Sequence, residues 1–541
     1  MQASKSRQAH FPLHLRKRLL SRAHPITTPR PQPFTARVKM ALSVDLKRAK
    51  TILVLGGPIV IAMFTQTFIN VVDTIFVGKL DPSYATPGQA ALGFSLPILW
   101  SLAGFLAAIG IGTQAMTARR IGSQKPEEAG VVLTNSIVVA IVGSLIFTVL
   151  GWFIVPPFFE FLTRNQNVLN LGIPYAQIRV LGILGMVLTT SYKGFFDGIG
   201  STRVHMYAAL VMNAANIGLN YIFIFGWGPI PAMYVTGAAV ASLLSTFIGL
   251  VMMVVWSLRG KYRKPHRYYR PRTLNPKLMW EIVKLSVPSG AAQLFVMSGV
   301  LMFLKIIGML DETAVEQTLR VSDFYAALPE WMQWQEAIRT ATATTGTLFV
   351  TDWNFALISG RPPVYTTAAK LVIDLLSIGF VMCIAFGTAT ATLVSKSMGE
   401  KRFDLAEAYG WDSVKIGSYF FGAIGLIIIL QPAFFLDLLT DDPQVINAAI
   451  PGLRIMAALE IFIAMALILT QALFGAGNTR FVMWIELILH GLCLAPLTYL
   501  FGVVLDFGFL GVWLSATIYV MALAVAMAWK FWEGSWKEIE V

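Results

Sequence analysis

The chain has 541 residues, 56% hydrophobic and only 13% charged, with 42 Lys and Arg against 29 Asp and Glu. With a mean hydropathy of +0.66, it has too little polar surface for a soluble fold of this size, and a lipid bilayer is the expected solvent. Its two cysteines, Cys383 and Cys493, lie in apolar runs, so no disulfide framework or thiolate metal site is indicated.

Residues 1–44 are basic, with Arg16, Lys17, Arg18 and Arg22 and no acidic residue before Asp45. Such a segment fits an organellar transit peptide, a disordered cytoplasmic extension, or a start at Met40. Six apolar runs follow, at 51–78, 91–118, 131–155, 171–192, 204–226 and 235–257. A basic linker at 259–280 precedes six more, at 281–310, 368–394, 411–431, 448–472, 481–502 and 510–532, and a tail at 533–541. Each run is long enough to cross hydrocarbon as a helix of about 20 residues. Stretches such as IVVAIVGSLIFTVLGWFIV lack the alternation of barrel strands. The expected fold class is an all-α membrane protein of about twelve transmembrane helices, in lobes spanning 45–258 and 281–532. An acidic insertion at 311–366 interrupts the second lobe. It carries Asp311, Glu312, Glu316, Asp323, Glu330, Glu336 and Asp352, with Trp331, Trp334 and Trp353 expected at the bilayer interface.

The net charge of +13 is distributed by loop. Arg119, Arg120 and Lys125 follow the second run, Lys193 and Arg203 bracket the loop after the fourth, and Lys396, Lys401 and Arg402 follow the eighth. Alternate loops such as GWGPIPAM carry almost no Lys or Arg. This asymmetry reads as orientation rather than nucleic-acid binding, with basic loops and both termini in the cytoplasm.

The two halves are copies. At a constant offset of 277 residues, Gly110, Thr113 and Gly122 fall on Gly387, Thr390 and Gly399. Asn170, Ile173 and Pro174 fall on Asn447, Ile450 and Pro451 in the same register, and Gly198, Gly200, Thr202 and Arg203 fall on Gly475, Gly477, Thr479 and Arg480. Duplicated lobes are a common plan of secondary transporters, in which two rocking halves alternate access to one central site. The glycine clusters read as helix ends and tight turns, since no phosphate-loop lysine and serine follow them.

A coupled transporter needs an ionisable group inside a lobe, and such groups are costly in hydrocarbon unless they face a bundle interior or wet cavity. Asp73, near the outer end of the first run, is the first candidate, with Gln66 seven residues earlier on the same helical face. Asn213, Asn216 and Asn220 form one polar stripe on the fifth run. Together these would make a carboxylate ringed by amides, or alternatively interhelical glue. The second lobe offers Glu460, Glu486 and His490 one turn apart, and Asp374. His490 is the repeat partner of Asn213, and a Glu–His pair at this spacing can share a proton or simply fix its helix, with Lys305 or another cation compensating Glu460. Arg179 is the remaining intramembrane charge, able to steer Asp73, meet an anionic substrate group, or snorkel to headgroups.

VVDTIFVGKL at the end of the first run resembles the first-helix signature of multidrug and toxic compound extrusion (MATE) transporters. GTQAMTARRIGSQKPEEA and GTATATLVSKSMGEKRFDLAEA resemble the paired loops of that family, and PYAQIRVLGILG followed by GFFDGIGSTR is similar to its DinF-like branch. The resemblance covers about 50–310 and 366–532. It implies that Asp73 is the coupling carboxylate, with Gln66, Asn216 and Asn220 around it. Some relatives carry a second aspartate at the position of Asn220, and the helix-seven glutamate of NorM-like members has no match here. One carboxylate fewer makes H+ the expected coupling ion rather than Na+, and no metal or organic cofactor is expected.

The expected function is cation-coupled antiport of organic, often cationic, compounds, by a monomer in the plasma (inner) membrane, or in an organellar membrane if 1–44 is a transit peptide. A flippase of lipid-linked saccharides ranks second because the runs are poor in Lys and Arg. A membrane-embedded enzyme using Glu486 and His490 as acid and base ranks third, because no nucleophile motif accompanies them.

Overall fold

A polypeptide in hydrocarbon must satisfy its backbone polar groups internally, so apolar runs of this length become helices. The computed structural model describes residues 43–163, 165–326, 364–440 and 442–540, and no β-strand occurs among them. Ten helices are long and apolar enough to cross a membrane, and two bent pairs bring the spans to twelve. In the first lobe these are α1 (Leu46–Gly78), α2 (Ser83–Gly122), α3 (Pro126–Leu162), α4 (Gln166–Leu181 with Ile183–Gly198), α5 (Arg203–Phe225) and α6 (Tyr234–Ser257). The second has α7 (Pro276–Ala326), α8 (Val364–Gly399), α9 (Phe403–Leu430), α10 (Pro443–Ala458 with Glu460–Gly475), α11 (Thr479–Val504) and α12 (Gly508–Glu533).

Most helices outrun their apolar stretches by several residues, because hydropathy marks the hydrocarbon and not the hydrogen-bond ladder. The bends in α4 and α10, of 40° and 56°, fall at Gly182 and Leu459, which are repeat partners. The duplication therefore extends to backbone geometry. Gly200 and Gly477, also repeat partners, both have positive φ, 76° and 86°, which glycine adopts without a Cβ penalty.

Two expectations about the insertion change. Residues 311–326 continue α7 as helix, and Asp311 is a buried cap rather than part of an acidic surface. Its carboxylate accepts from the backbone amides of Tyr365 and Thr366, both at 2.8 Å, and from the Thr366 hydroxyl at 2.6 Å, closing the base of the insertion onto the start of α8. Trp331, Trp334 and Trp353 lie outside the described residues.

The lobes meet through α2 and α8. At their basic ends, a Cβ on Gly122 would lie 2.0 Å from the Lys396 carbonyl oxygen, and one on Gly399 would lie 2.1 Å from that of Arg119. These are reciprocal contacts, since Gly122 pairs with Gly399 and Arg119 with Lys396 in the repeat. Ser395 Oγ donates to the Ala115 carbonyl at 2.6 Å and Gln114 Nε2 to the Thr388 carbonyl at 2.8 Å. Arg119 crosses furthest, donating to the carbonyls of Ala476 at 3.1 Å and Ile539 at 2.6 Å.

Candidate functional site

Asp73 sits five residues from the end of α1 and is 1% exposed. Helical spacing on α5 turns Asn216 and Asn220 toward it, one turn apart. Asn220 Nδ2 donates to Asp73 Oδ1 at 2.6 Å and to Asn216 Oδ1 at 3.1 Å. Asn216 Nδ2 donates to Ser242 Oγ at 3.2 Å, and Ser242 Oγ donates to Asp73 Oδ2 at 2.8 Å. The four side chains close a ring in which every donor leads toward the carboxylate. Arg179 Nη1 approaches Oδ2 at 3.5 Å, longer than the 2.7–2.9 Å of a tight charge-assisted bond.

The expected amide cluster is therefore partly assembled. Asn213 stands outside the ring, with neither side-chain atom hydrogen-bonded. The Gln66 side chain lies outside the described ones. Ser242, on α6, was not singled out from the sequence, because one hydroxyl in ASLLSTF carries no signal of what it faces across a helix pair.

In the second lobe, His490 Nδ1 faces both the Glu486 carbonyl at 3.1 Å and Glu486 Oε2 at 3.2 Å. The imidazole lies on a π-helical turn (Leu489–Leu494), packs edge-on to Tyr519 with centroids 4.6 Å apart, and fills the space left by Gly299. Glu460 opens the second segment of α10, 2% exposed, against Gly379 and Gly425, and its Oε2 has no hydrogen-bond partner. Lys305 is exposed and does not compensate it. Asp374 does not join this group: it is exposed and paired with Lys370 at 2.7 Å, one turn away on α8. The four second-lobe candidates thus resolve into one pair, one isolated buried acid and one surface ion pair.

Between the lobes lies a cavity of about 450 Å³. Ser242 and Arg179 bring the Asp73 ring to its wall, and Glu486 brings the second-lobe pair to the same space. Lys193 and His205 also line it, neither of which was an expected site residue.

A cavity between duplicated six-helix lobes, with a buried carboxylate one hydrogen bond behind its wall, is the plan of a membrane transporter. The sequence profile of the MatE family matches residues 58–222 and 349–500. The chain belongs to the MatE family. It is 24% identical over 477 residues to "Probable multidrug resistance protein NorM" of Bacillus cereus, covering 87% of this chain and 92% of that protein. The fold matches a structure described as "Outward-facing conformation of a multidrug resistance MATE family transporter of the MOP superfamily", with a TM-score of 0.74, 20% identity, and coverage of 94% of this chain and all of that one. A second match, TM-score 0.72 at 21% identity, covers 94% of this chain and all of a Pyrococcus furiosus transporter described as having reverse polarity of its binding pocket.

Proposed function

We propose that the chain is a proton-coupled antiporter that exports amphipathic organic compounds, cations included, by alternating access of its two lobes. The observation that carries this reading is the closed ring on Asp73. Oδ1 and Oδ2 each already accept a hydrogen bond, so a proton arriving on either oxygen alters a bond of the ring. A proton on Oδ2 removes the charge that Ser242 donates to and weakens that oxygen as an acceptor, so the ring linking α1, α5 and α6 is loosened at this bond. Protonation thereby changes how three helices of one lobe are held, which is the differential contact that a conformational switch needs. Arg179 loses its charge partner in the same event.

The relation to proteins named for multidrug resistance supports the export of drug-like compounds, and the reciprocal α2–α8 contact supports rocking about a symmetric seam. The test is efflux of ethidium from energised cells or vesicles with and without a proton gradient. Gradient-driven efflux in the native protein is expected to fall at least about tenfold in Asp73→Asn, because the charge cycle is lost. Equal efflux from both proteins would remove Asp73 as the coupling group.

A further inference from the structure

The charges on the cavity wall are unevenly committed. Arg179 faces Asp73, and Glu486 faces His490. Lys193, on the second segment of α4, lines the same cavity and forms no ion pair or hydrogen bond among the described residues. His205, on the first turn of α5, also lines it, is 2% exposed, and has no partner for Nδ1. The tight turn through Gly200 joins these two elements, and both side chains reach the same cavity. The one opposing charge nearby is Asp197, one turn after Lys193. Its side chain is fully buried, lines no part of the cavity, and makes no hydrogen bond or ion pair.

An ammonium whose one opposing charge, Asp197, acts on it through space and not by contact is incompletely compensated in a partly dehydrated cavity. Set beside a buried imidazole without a partner and the first turn of a helix, it is chemistry that suits an anion. We infer that Lys193 and His205 form a subsite for the acidic group of a substrate, so that amphipathic organic acids are a substrate class of this transporter. The inference rests on the transport reading above and gives its cavity a polarity. Lys193 follows Arg179 by 14 residues, roughly 20 Å along the span. The acidic group and the proton on Asp73 therefore occupy different ends of one lobe, and their coupling runs through the helices rather than through competition for one atom.

The experiment is calorimetric titration of the purified full-length protein with two probes that share one aromatic body, 2-naphthoate and 2-naphthylmethylammonium. The native protein is expected to bind the carboxylate more tightly than the ammonium. Lys193→Gln is expected to weaken naphthoate binding by about tenfold or more, as loss of one member of a desolvated charge pair does. His205→Phe is expected to weaken it less, and Asp197→Asn to leave it unchanged or tighten it. Thermal unfolding of each variant separates lost binding from lost folding. Preference for the ammonium probe, binding of neither probe, or unchanged naphthoate binding in a folded Lys193→Gln protein would overturn the subsite. Failure of the antiport reading shows separately, as ethidium efflux that ignores Asp73→Asn while naphthoate still binds.

Discussion

Asp73 is held by neutral donors more closely than by its cation. Asn220 and Ser242 approach its oxygens at 2.6 and 2.8 Å, whereas Arg179 stays at 3.5 Å. Hydrogen bonds to a buried carboxylate contribute about 1.5–3 kcal/mol each. Ser242→Ala is accordingly expected to lower stability by about that amount, read as a lower thermal unfolding midpoint at neutral pH. Asn220→Asp places a second carboxylate where the shortest donor was, and two facing carboxylates need a shared proton or a cation. That variant is expected to gain thermal stability in sodium chloride over choline chloride, a difference absent from the native protein. Equal midpoints in the two salts would show that the ring cannot become a cation site. Much of this cluster was legible, because three- and four-residue spacing on a helix fixes a common face before any partner is known, as for Asn216 and Asn220. What spacing cannot give is the partner across a helix pair, which is why Ser242 went unseen. It also cannot separate a buried acid such as Glu460 from Asp374, which faces outward beside Lys370.

At the scale of elements, the apolar runs located every span, but neither bend was read from the sequence, and only the structure shows that the two fall on repeat partners. The ends were less legible. Helices α2, α3 and α9 extend beyond the hydrophobic thickness, and α7 continues into what reads by composition as a loop. The basic linker is more structured than its charge suggests. His266 is buried there, its Nδ1 donating to the Tyr262 carbonyl at 2.7 Å and its ring edge-on to Phe195. Burial holds its pKa below the ordinary 6.5, only partly offset by the Tyr262 carbonyl. A group kept neutral when docked binds fewer protons docked than released, so docking is at full strength above pH 6.5 and weakens as the pH falls below it. Limited proteolysis of the linker is expected to accelerate between about pH 7 and 5.5, and His266→Phe to remove most of that dependence. A pH-independent cleavage rate in the native protein would contradict the assignment.

Over the whole molecule, closure at the basic end depends on backbone meeting backbone at Gly122 and Gly399, with Arg119 reaching across. Gly399→Leu would drive a side chain into the Arg119 carbonyl and force the lobes apart. Spin labels at Gln124 and Lys401, turn residues that are repeat partners and share a positive φ, would report this as a longer distance in the variant than in the native protein. An unchanged distance would mean that the seam yields elsewhere.

The duplication is symmetric at the seam and asymmetric at the clasp. Arg119 is buried and bonded, whereas its counterpart Lys396 is exposed. The atoms that receive Arg119 include carbonyl oxygens, which every residue type supplies, so side-chain replacement at Ala476 or Ile539 does not erase those acceptors. A genetic screen for proteins that fail to hold this end shut should therefore recover substitutions of position 119 itself and bulky residues at the two glycines. Side-chain losses at the receiving positions should be scarce among them. Two halves descended from one ancestral unit would in this way carry unequal mutational burdens at the same seam.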